Sequence, residues 1–142
     1  MAFFILFFKW RDTMKLSAIG LFVTDIAKMV AFYRDIMGLK TDWNGNEPNV
    51  EFYSDTIRLI MFPRKEFEKM TSQQYGYPKG HNGTFEIAFE LGSFSRVDKE
   101  YARVVGMGAE SIFAPTTMPW GQRTCYIADP EGNLLEIYSF NE

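Results

Sequence analysis

A chain of 142 residues with a net charge of −3, one cysteine and one histidine is long enough for a single domain with a real core. It carries no basic stripe for nucleic acid or an anionic membrane. Cys125 alone supports neither an internal disulfide framework nor a CxxC pair, so a reducing cytoplasm is the expected compartment. Aromatic residues reach 17% of the chain, which suits either a large internal pocket or a densely packed core.

Met1 to Phe8 is a solid apolar run closed by Lys9, Trp10 and Arg11. A bilayer span needs roughly 20 apolar residues, and the run also lacks the basic start and small-residue cleavage site of a secretory signal. Residues 1–13 therefore read as an extension, either an added edge strand, interface arm or interfacial anchor, or the product of a misassigned upstream start. Met14-Lys-Leu-Ser-Ala-Ile-Gly looks like a natural beginning, and residues 14–142 read as one domain.

From Lys15 to Val23, Ile19, Leu21 and Val23 alternate with Ala18, Gly20 and Phe22, the period of a strand. The period then changes. Asp25 suits an N-cap, Ile26, Met29, Val30, Tyr33, Ile36 and Met37 fall at helical spacing, and Gly38 can close the helix in a left-handed conformation. Strands at about 40–44, 49–54 and 56–62 follow, so module one, about 15–63, reads β-α-β-β-β. A linker over about 64–82 holds a short helix near Lys65 to Gln73 and the turn-rich Tyr75-Gly-Tyr-Pro-Lys-Gly80.

The pattern then starts again. Thr84 to Leu91 is a strand, Ser95 can cap a helix carrying Val97, Tyr101, Val104 and Val105 inward, and Gly106 or Gly108 ends it. Strands at about 110–114, 122–128 and 133–140 complete module two, about 83–140. Laying the halves together pairs Ile19 with Ile87, Leu21 with Phe89 and Val23 with Leu91. The expected architecture is α+β: two βαβββ modules forming a curled mixed sheet, helices on one face and a shared cavity on the other.

Within the last strand Glu136 sits among Leu134, Leu135 and Ile137, and alternation places it with Leu134 and Tyr138. A carboxylate in such a strand needs a partner, a proton or a water-lined cavity. Asp129-Pro-Glu-Gly132 forms the turn before it. Glu86, Ala88 and Glu90 share one face of their own strand, where Glu86 should approach Glu136.

Val23-Thr-Asp25-Ile-Ala-Lys-Met-Val-Ala-Phe32-Tyr33-Arg-Asp-Ile-Met-Gly38-Leu39 and Asp129-Pro-Glu-Gly-Asn133-Leu-Leu-Glu136 resemble the opening and closing motifs of the vicinal oxygen chelate superfamily. That superfamily includes glyoxalase I, extradiol dioxygenases, fosfomycin-resistance thiol transferases and bleomycin-resistance proteins. The resemblance implies paired βαβββ modules, commonly in a homodimer, around a site where a divalent metal is held by a residue on each module's first strand and a Glu on a closing strand. Carried over residue by residue, the terminal Glu is Glu136, and Glu86 offers oxygen where His is usual. Ala18 replaces the other first-strand ligand, and the closing position of module one falls near Met61.

Half of that site survives. Glu136 and Glu86 are thus the expected catalytic pair and the expected metal ligands, with Mg, Mn, Ni or Zn as the possible divalent cofactor or none at all. One histidine, His81, cannot supply the His, His, carboxylate set of an extradiol dioxygenase. Expected ligand-binding residues are Arg123, where the family often places an arginine after a mouth loop, with Trp120 on that loop and Trp43, Phe52, Tyr53 and Phe22 as pocket walls. Two readings stay open: a module that binds a small organic molecule without catalysis, and a metal-dependent lyase, isomerase or transferase of the glyoxalase I type. The expected partner is a small molecule, with no nucleic acid and no membrane.

Overall fold

The computed structural model describes residues 13–142, and the expectation for the N-terminal extension lies outside the described residues apart from Thr13. Strand β1, Ala18–Val23, leads into helix α1, Ile26–Val30, which continues as a π-helical segment, Ala31–Ile36. Asp25 caps α1 by accepting from the Lys28 N–H at 3.0 Å, and Gly38 takes φ +79, both as the sequence implied. Strands β2, Val50–Phe52, and β3, Arg58–Pro63, follow. The sheet order is β1-β3-β2, with β1 parallel and β2 antiparallel to β3.

The strand expected over 40–44 is reduced to one bridge between Lys40 and Tyr53. Side chains there occupy the backbone donors that a ladder would use. Trp43 N–H donates to Thr41 Oγ1, Asn44 N–H to Glu47 Oε2, and Asn46 N–H to Asn44 Oδ1, at 2.9 to 3.2 Å.

Helix α2, Arg64–Thr71, is the short linker helix. The second module runs β4, Asn82–Glu90; α3, Phe94–Gly106; β5, Glu110–Thr117; β6, Arg123–Ala128; and β7, Asn133–Ser139, in sheet order β4-β7-β6-β5. Ser93, not Ser95, caps α3, its hydroxyl accepting from the Arg96 N–H, so the helix starts two residues earlier than Ser95 implied. Both sheets are curled and open, which makes this an α+β fold of repeated modules.

One face of each sheet packs on helices around Met29, Val30, Tyr33, Phe52, Met61, Val97, Val104, Ile127, Leu135 and Ile137, all nearly inaccessible to solvent. This apolar burial is the main favourable term. Polar ties then fix one module against the other. Tyr33 OH donates to Asp129 Oδ2 at 2.8 Å in a buried bond, and Asp129 also accepts from the backbone of Glu131 and Asn133 and from Asn133 Nδ2. The Glu131 carboxylate accepts from the Thr24 and Asp25 N–H groups at the start of α1, where free donors and the helix dipole favour an anion. The β6–β7 turn is therefore the joint between the halves.

Candidate functional site

Alternation along β7 decides where Glu136 points. Leu135 and Ile137 enter the helix-covered core, so Leu134, Glu136 and Tyr138 occupy the other face. The ladders set Ala88 of β4 on one side of Glu136 and Tyr126 of β6 on the other. Glu136 is only 6% exposed. Burying a carboxylate without partners costs several kcal/mol, so its hydrogen bonds carry the explanation.

Three donors converge on a single oxygen of that carboxylate. Thr124 Oγ1 donates to Glu136 Oε2 at 2.6 Å, Tyr126 OH at 3.1 Å and Gln122 Nε2 at 3.1 Å. Each charge-assisted bond of this kind contributes about 1.5–3 kcal/mol. All three donors are neutral, so the carboxylate is solvated by the protein without being neutralised. Oε1 accepts no hydrogen bond among the described residues.

Sequence reasoning did not single out Gln122 or Thr124. The signal was their parity: residues 122, 124 and 126 share one face of β6, opposite Cys125 and Ile127. Trp120 lies behind Gln122, its indole N–H donating to Gln122 Oε1 at 2.8 Å. An indole N–H can only donate, so Gln122 must turn its oxygen to Trp120 and its NH₂ to Glu136. The Met118 to Gln122 turn that carries Trp120 is closed by two backbone hydrogen bonds, with Gly121 at φ +87.

Glu86 reaches the same point from β4. It acts on the Tyr126 phenol, whose ionisation is pushed above the ordinary value of 10.0 by burial first, then by Glu86 and by the Glu136 charge and hydrogen bond. Burial, followed by Glu90 and Glu136, likewise raises the Tyr138 phenol. Tyr126 thus sits between Glu86 and Glu136 with one proton to give.

The remaining residues singled out in the sequence make no hydrogen bond to Glu136. Arg123 shares the core-side parity of Cys125, and its guanidinium bonds Asp98 Oδ1 of α3 at 2.7 Å and Thr117 Oγ1 at 2.9 Å, so it does not serve the Glu136 face. Phe52 is buried beside Tyr33, ring centroids 5.8 Å apart, and lines a cavity together with Glu86 and Ala88. Trp43 lies at the far margin of sheet one, held by its N–H to the Glu47 carbonyl. Tyr53 is exposed at the rim of that same cavity, with its hydroxyl on Asp42. Phe22 stacks on Phe67 of α2 at 4.0 Å, lining a cavity of ≈ 370 Å³ with Arg64, Tyr75 and Tyr77.

A second cavity, ≈ 360 Å³, lies between Ile19 and Leu59 of sheet one and Glu86 to Glu90 of β4. Neither of these two cavities includes Glu136, although Glu86, Ala88 and Glu90 of the neighbouring strand line the second. His81 bonds Glu110 at 2.9 Å as an exposed loop residue. Cys125 is fully buried, and burial pushes its thiol up to about 12, which removes it as a nucleophile at neutral pH.

The position matching Glu136 in module one is Ile60, not Met61. Ile60 pairs with Gly20 as Glu136 pairs with Ala88, whereas Met61 is buried on the helix side. The first module therefore presents Ala18 and Ile60 where the superfamily holds a metal, and neither has a donor atom in its side chain. Among the described residues no three His, Cys, Asp or Glu side chains are placed to hold a metal ion. A zinc-type centre needs three or four protein donors, so the residues present do not fit one.

Fold and site together define a paired-module protein of the glyoxalase type. The family described as Glyoxalase/Bleomycin resistance protein/Dioxygenase superfamily matches residues 15–137, and the chain belongs to it. It is 28% identical over 128 residues to the uncharacterized protein YraH of Bacillus subtilis (strain 168), covering 88% of this chain and 98% of YraH. A glyoxalase/bleomycin resistance protein/dioxygenase family enzyme from Burkholderia phytofirmans PsJN superimposes with a TM-score of 0.78 at 23% identity, covering 89% of this chain and 99% of that one. Lactoylglutathione lyase from Agrobacterium tumefaciens gives 0.70 at 22%, covering 89% and 94%. These two structural likenesses concern the fold alone.

Proposed function

We propose that this chain binds a small organic molecule on the concave face of sheet two, using the free Oε1 of Glu136 as its polar anchor and no resident metal. The observation that supports it is the one-sided solvation of a buried carboxylate: three neutral donors spent on Oε2 and none on Oε1. An oxygen left without a protein donor at the edge of a buried side chain is a place for a ligand donor or for solvent. The ring of Tyr126, the Phe113 ring 6.4 Å from it and the exposed Trp120 supply apolar surface around that acceptor. The same reading makes the protein a cytoplasmic homodimer, with exposed Ile112 and Phe113 on edge strand β5 as material for contact with a second copy.

The alternative, a divalent-metal lyase or isomerase of the glyoxalase I type using Glu86 and Glu136, has in its favour the convergence of both carboxylates on Tyr126. A fragment screen by protein NMR, paired with calorimetric titration of Mg²⁺, Mn²⁺, Ni²⁺ and Zn²⁺, separates the two. The proposal expects organic fragments that shift Tyr126 and Trp120 signals in the wild type and lose that effect in Glu136→Gln. Metal binding that disappears in Glu136→Gln, without any such fragment, would reverse the assignment.

A further inference from the structure

Asparagine followed by glycine is the dipeptide whose side-chain amide is attacked most readily by its own backbone, because the next residue has no Cβ to block the approach. The chain has two, Asn44-Gly45 and Asn82-Gly83. In both, the side-chain oxygen accepts from the N–H two residues on: Asn46 N–H to Asn44 Oδ1 at 2.9 Å, and Thr84 N–H to Asn82 Oδ1 at 3.0 Å. Such a bond draws charge from Cγ and strengthens as the oxygen becomes negative. The local chemistry is matched, and the backbone around it differs.

Asn82 and Gly83 lie in β4, where the Asn82 N–H donates to the Gly132 carbonyl at 2.7 Å and Asn82 Nδ2 to the buried Asn133 Oδ1 at 3.2 Å. Attack on Asn82 Cγ has to open the strand and pull the leaving nitrogen from its acceptor. Asn44 and Gly45 are exposed in the loop before β2, with Gly45 at φ +95. Among the described residues neither Asn44 Nδ2 nor the Gly45 N–H makes a hydrogen bond, so nucleophile and leaving group are both unrestrained.

We infer that Asn44 is a site of self-modification, converted in the folded protein to aspartate and iso-aspartate, while Asn82 is protected by its strand. The Gly45 nitrogen gives up its proton to solvent and bonds to Asn44 Cγ. The Cγ–Nδ2 bond breaks, and Nδ2 takes a proton and leaves as ammonia. Water then opens the five-membered imide: cleavage at the side-chain carbonyl leaves aspartate, and cleavage at the main-chain carbonyl leaves iso-aspartate. No electrons are exchanged, and water is the only co-reactant. The product adds a carboxylate beside Glu47, whose Oε2 accepts the Asn44 N–H at 3.0 Å and whose carbonyl accepts the Trp43 indole N–H at 3.0 Å. Like-charge repulsion there bears directly on the bonds that hold Trp43.

The test needs no variant, because the second dipeptide is an internal control. The full chain is incubated at neutral and at mildly alkaline pH, folded and in denaturing urea, and peptide mapping by mass spectrometry follows both asparagines, with aspartate and iso-aspartate forms separated by elution. In the folded protein Asn44 should convert at least about tenfold faster than Asn82, and faster at the higher pH, since the attacking nitrogen has to lose its proton. In urea the two rates should converge, because only the fold separates them. Equal rates in the folded protein, or an Asn44 that stays intact until urea is added, would overturn the inference. A preference for Asn44 that persists undiminished in urea would also overturn it, by assigning the difference to the flanking residues instead of the strand.

Discussion

Replacing Gly132 by alanine should test how the turn before β7 is locked to the linker. Gly132 has φ +89, and a Cβ there would stand 2.1 Å from the Gly80 carbonyl oxygen and 3.0 Å from its carbon. The obstacle is backbone, so it cannot swing aside like a side-chain tip. The Asn82 N–H to Gly132 carbonyl bond, 2.7 Å, crosses the same contact and would be stretched or lost. Gly121 is the matched control, at φ +87 with nothing within 4 Å of where an alanine methyl would stand.

Both substitutions incur the left-handed backbone cost of roughly 1–2 kcal/mol. Only Gly132→Ala adds the clash and the damaged hydrogen bond, the latter about 1 kcal/mol by itself. Gly132→Ala should therefore destabilise by about 3 kcal/mol or more and Gly121→Ala by about 1–2 kcal/mol. In urea, with a slope of about 2 kcal/mol/M, the midpoints should fall by about 1.5 M and by less than about 1 M. Equal midpoints for the two variants would refute the claim that the Gly80 to Gly132 contact joins the linker to the hairpin.

Tyr33→Phe removes a buried bond to a carboxylate and should cost about 2 kcal/mol in the same assay, while a loss below about 0.5 kcal/mol would deny that Tyr33 and Asp129 join the modules. Burial, then the Asp129 charge and hydrogen bond, hold the Tyr33 phenol well above 10.0 when folded. The associated stability is fully present below the unfolded value and is lost as pH rises through the folded one. Alkaline unfolding followed by circular dichroism should therefore steepen above pH 10 in the wild type and flatten in Tyr33→Phe. Cys125, pushed up to about 12, should resist a disulfide reagent at pH 8 until denaturant is added, and fast labelling of the native protein would contradict its burial. Arg123→Gln breaks a half-exposed ion pair with Asp98, so it should cost under about 1 kcal/mol in the urea assay, and a larger loss would contradict its surface placement.

The elements that carried strong period or cap chemistry were legible in the sequence itself. Asp25, Gly38, the alternation of Ile19, Leu21 and Val23, and the side of β7 on which Glu136 falls all follow from local sequence. The strand expected after Gly38 was not legible, because Thr41, Asn44 and Glu47 satisfy the local backbone through their side chains, and a hydrophobic pattern does not report that competition. Ser95 looked as good a cap as Ser93, and which serine serves is decided by where the chain leaves β4.

For the site, the family motif pointed to Glu136 but said nothing of what surrounds it. Arg123 seemed a ligand contact by position in the chain, yet strand parity puts it with Cys125, and the acid that holds it, Asp98, is 25 residues away. Parity also held the missing answer, since the stretch of 122, 124 and 126 turns three donors toward one carboxylate. Ile60 rather than Met61 as the partner of Glu136 across the repeat needed the register of the parallel ladders, which only the folded chain displays.

Whether Glu136 serves a ligand or a metal is the point on which the proposed function turns. Metal analysis of protein purified without chelator and then equilibrated with Mn²⁺ or Ni²⁺, done in parallel on Glu136→Gln, addresses it in one comparison. A metal-free anchor predicts the same negligible metal content in both proteins. Near one equivalent of divalent ion per chain in the wild type, absent from Glu136→Gln, would contradict it.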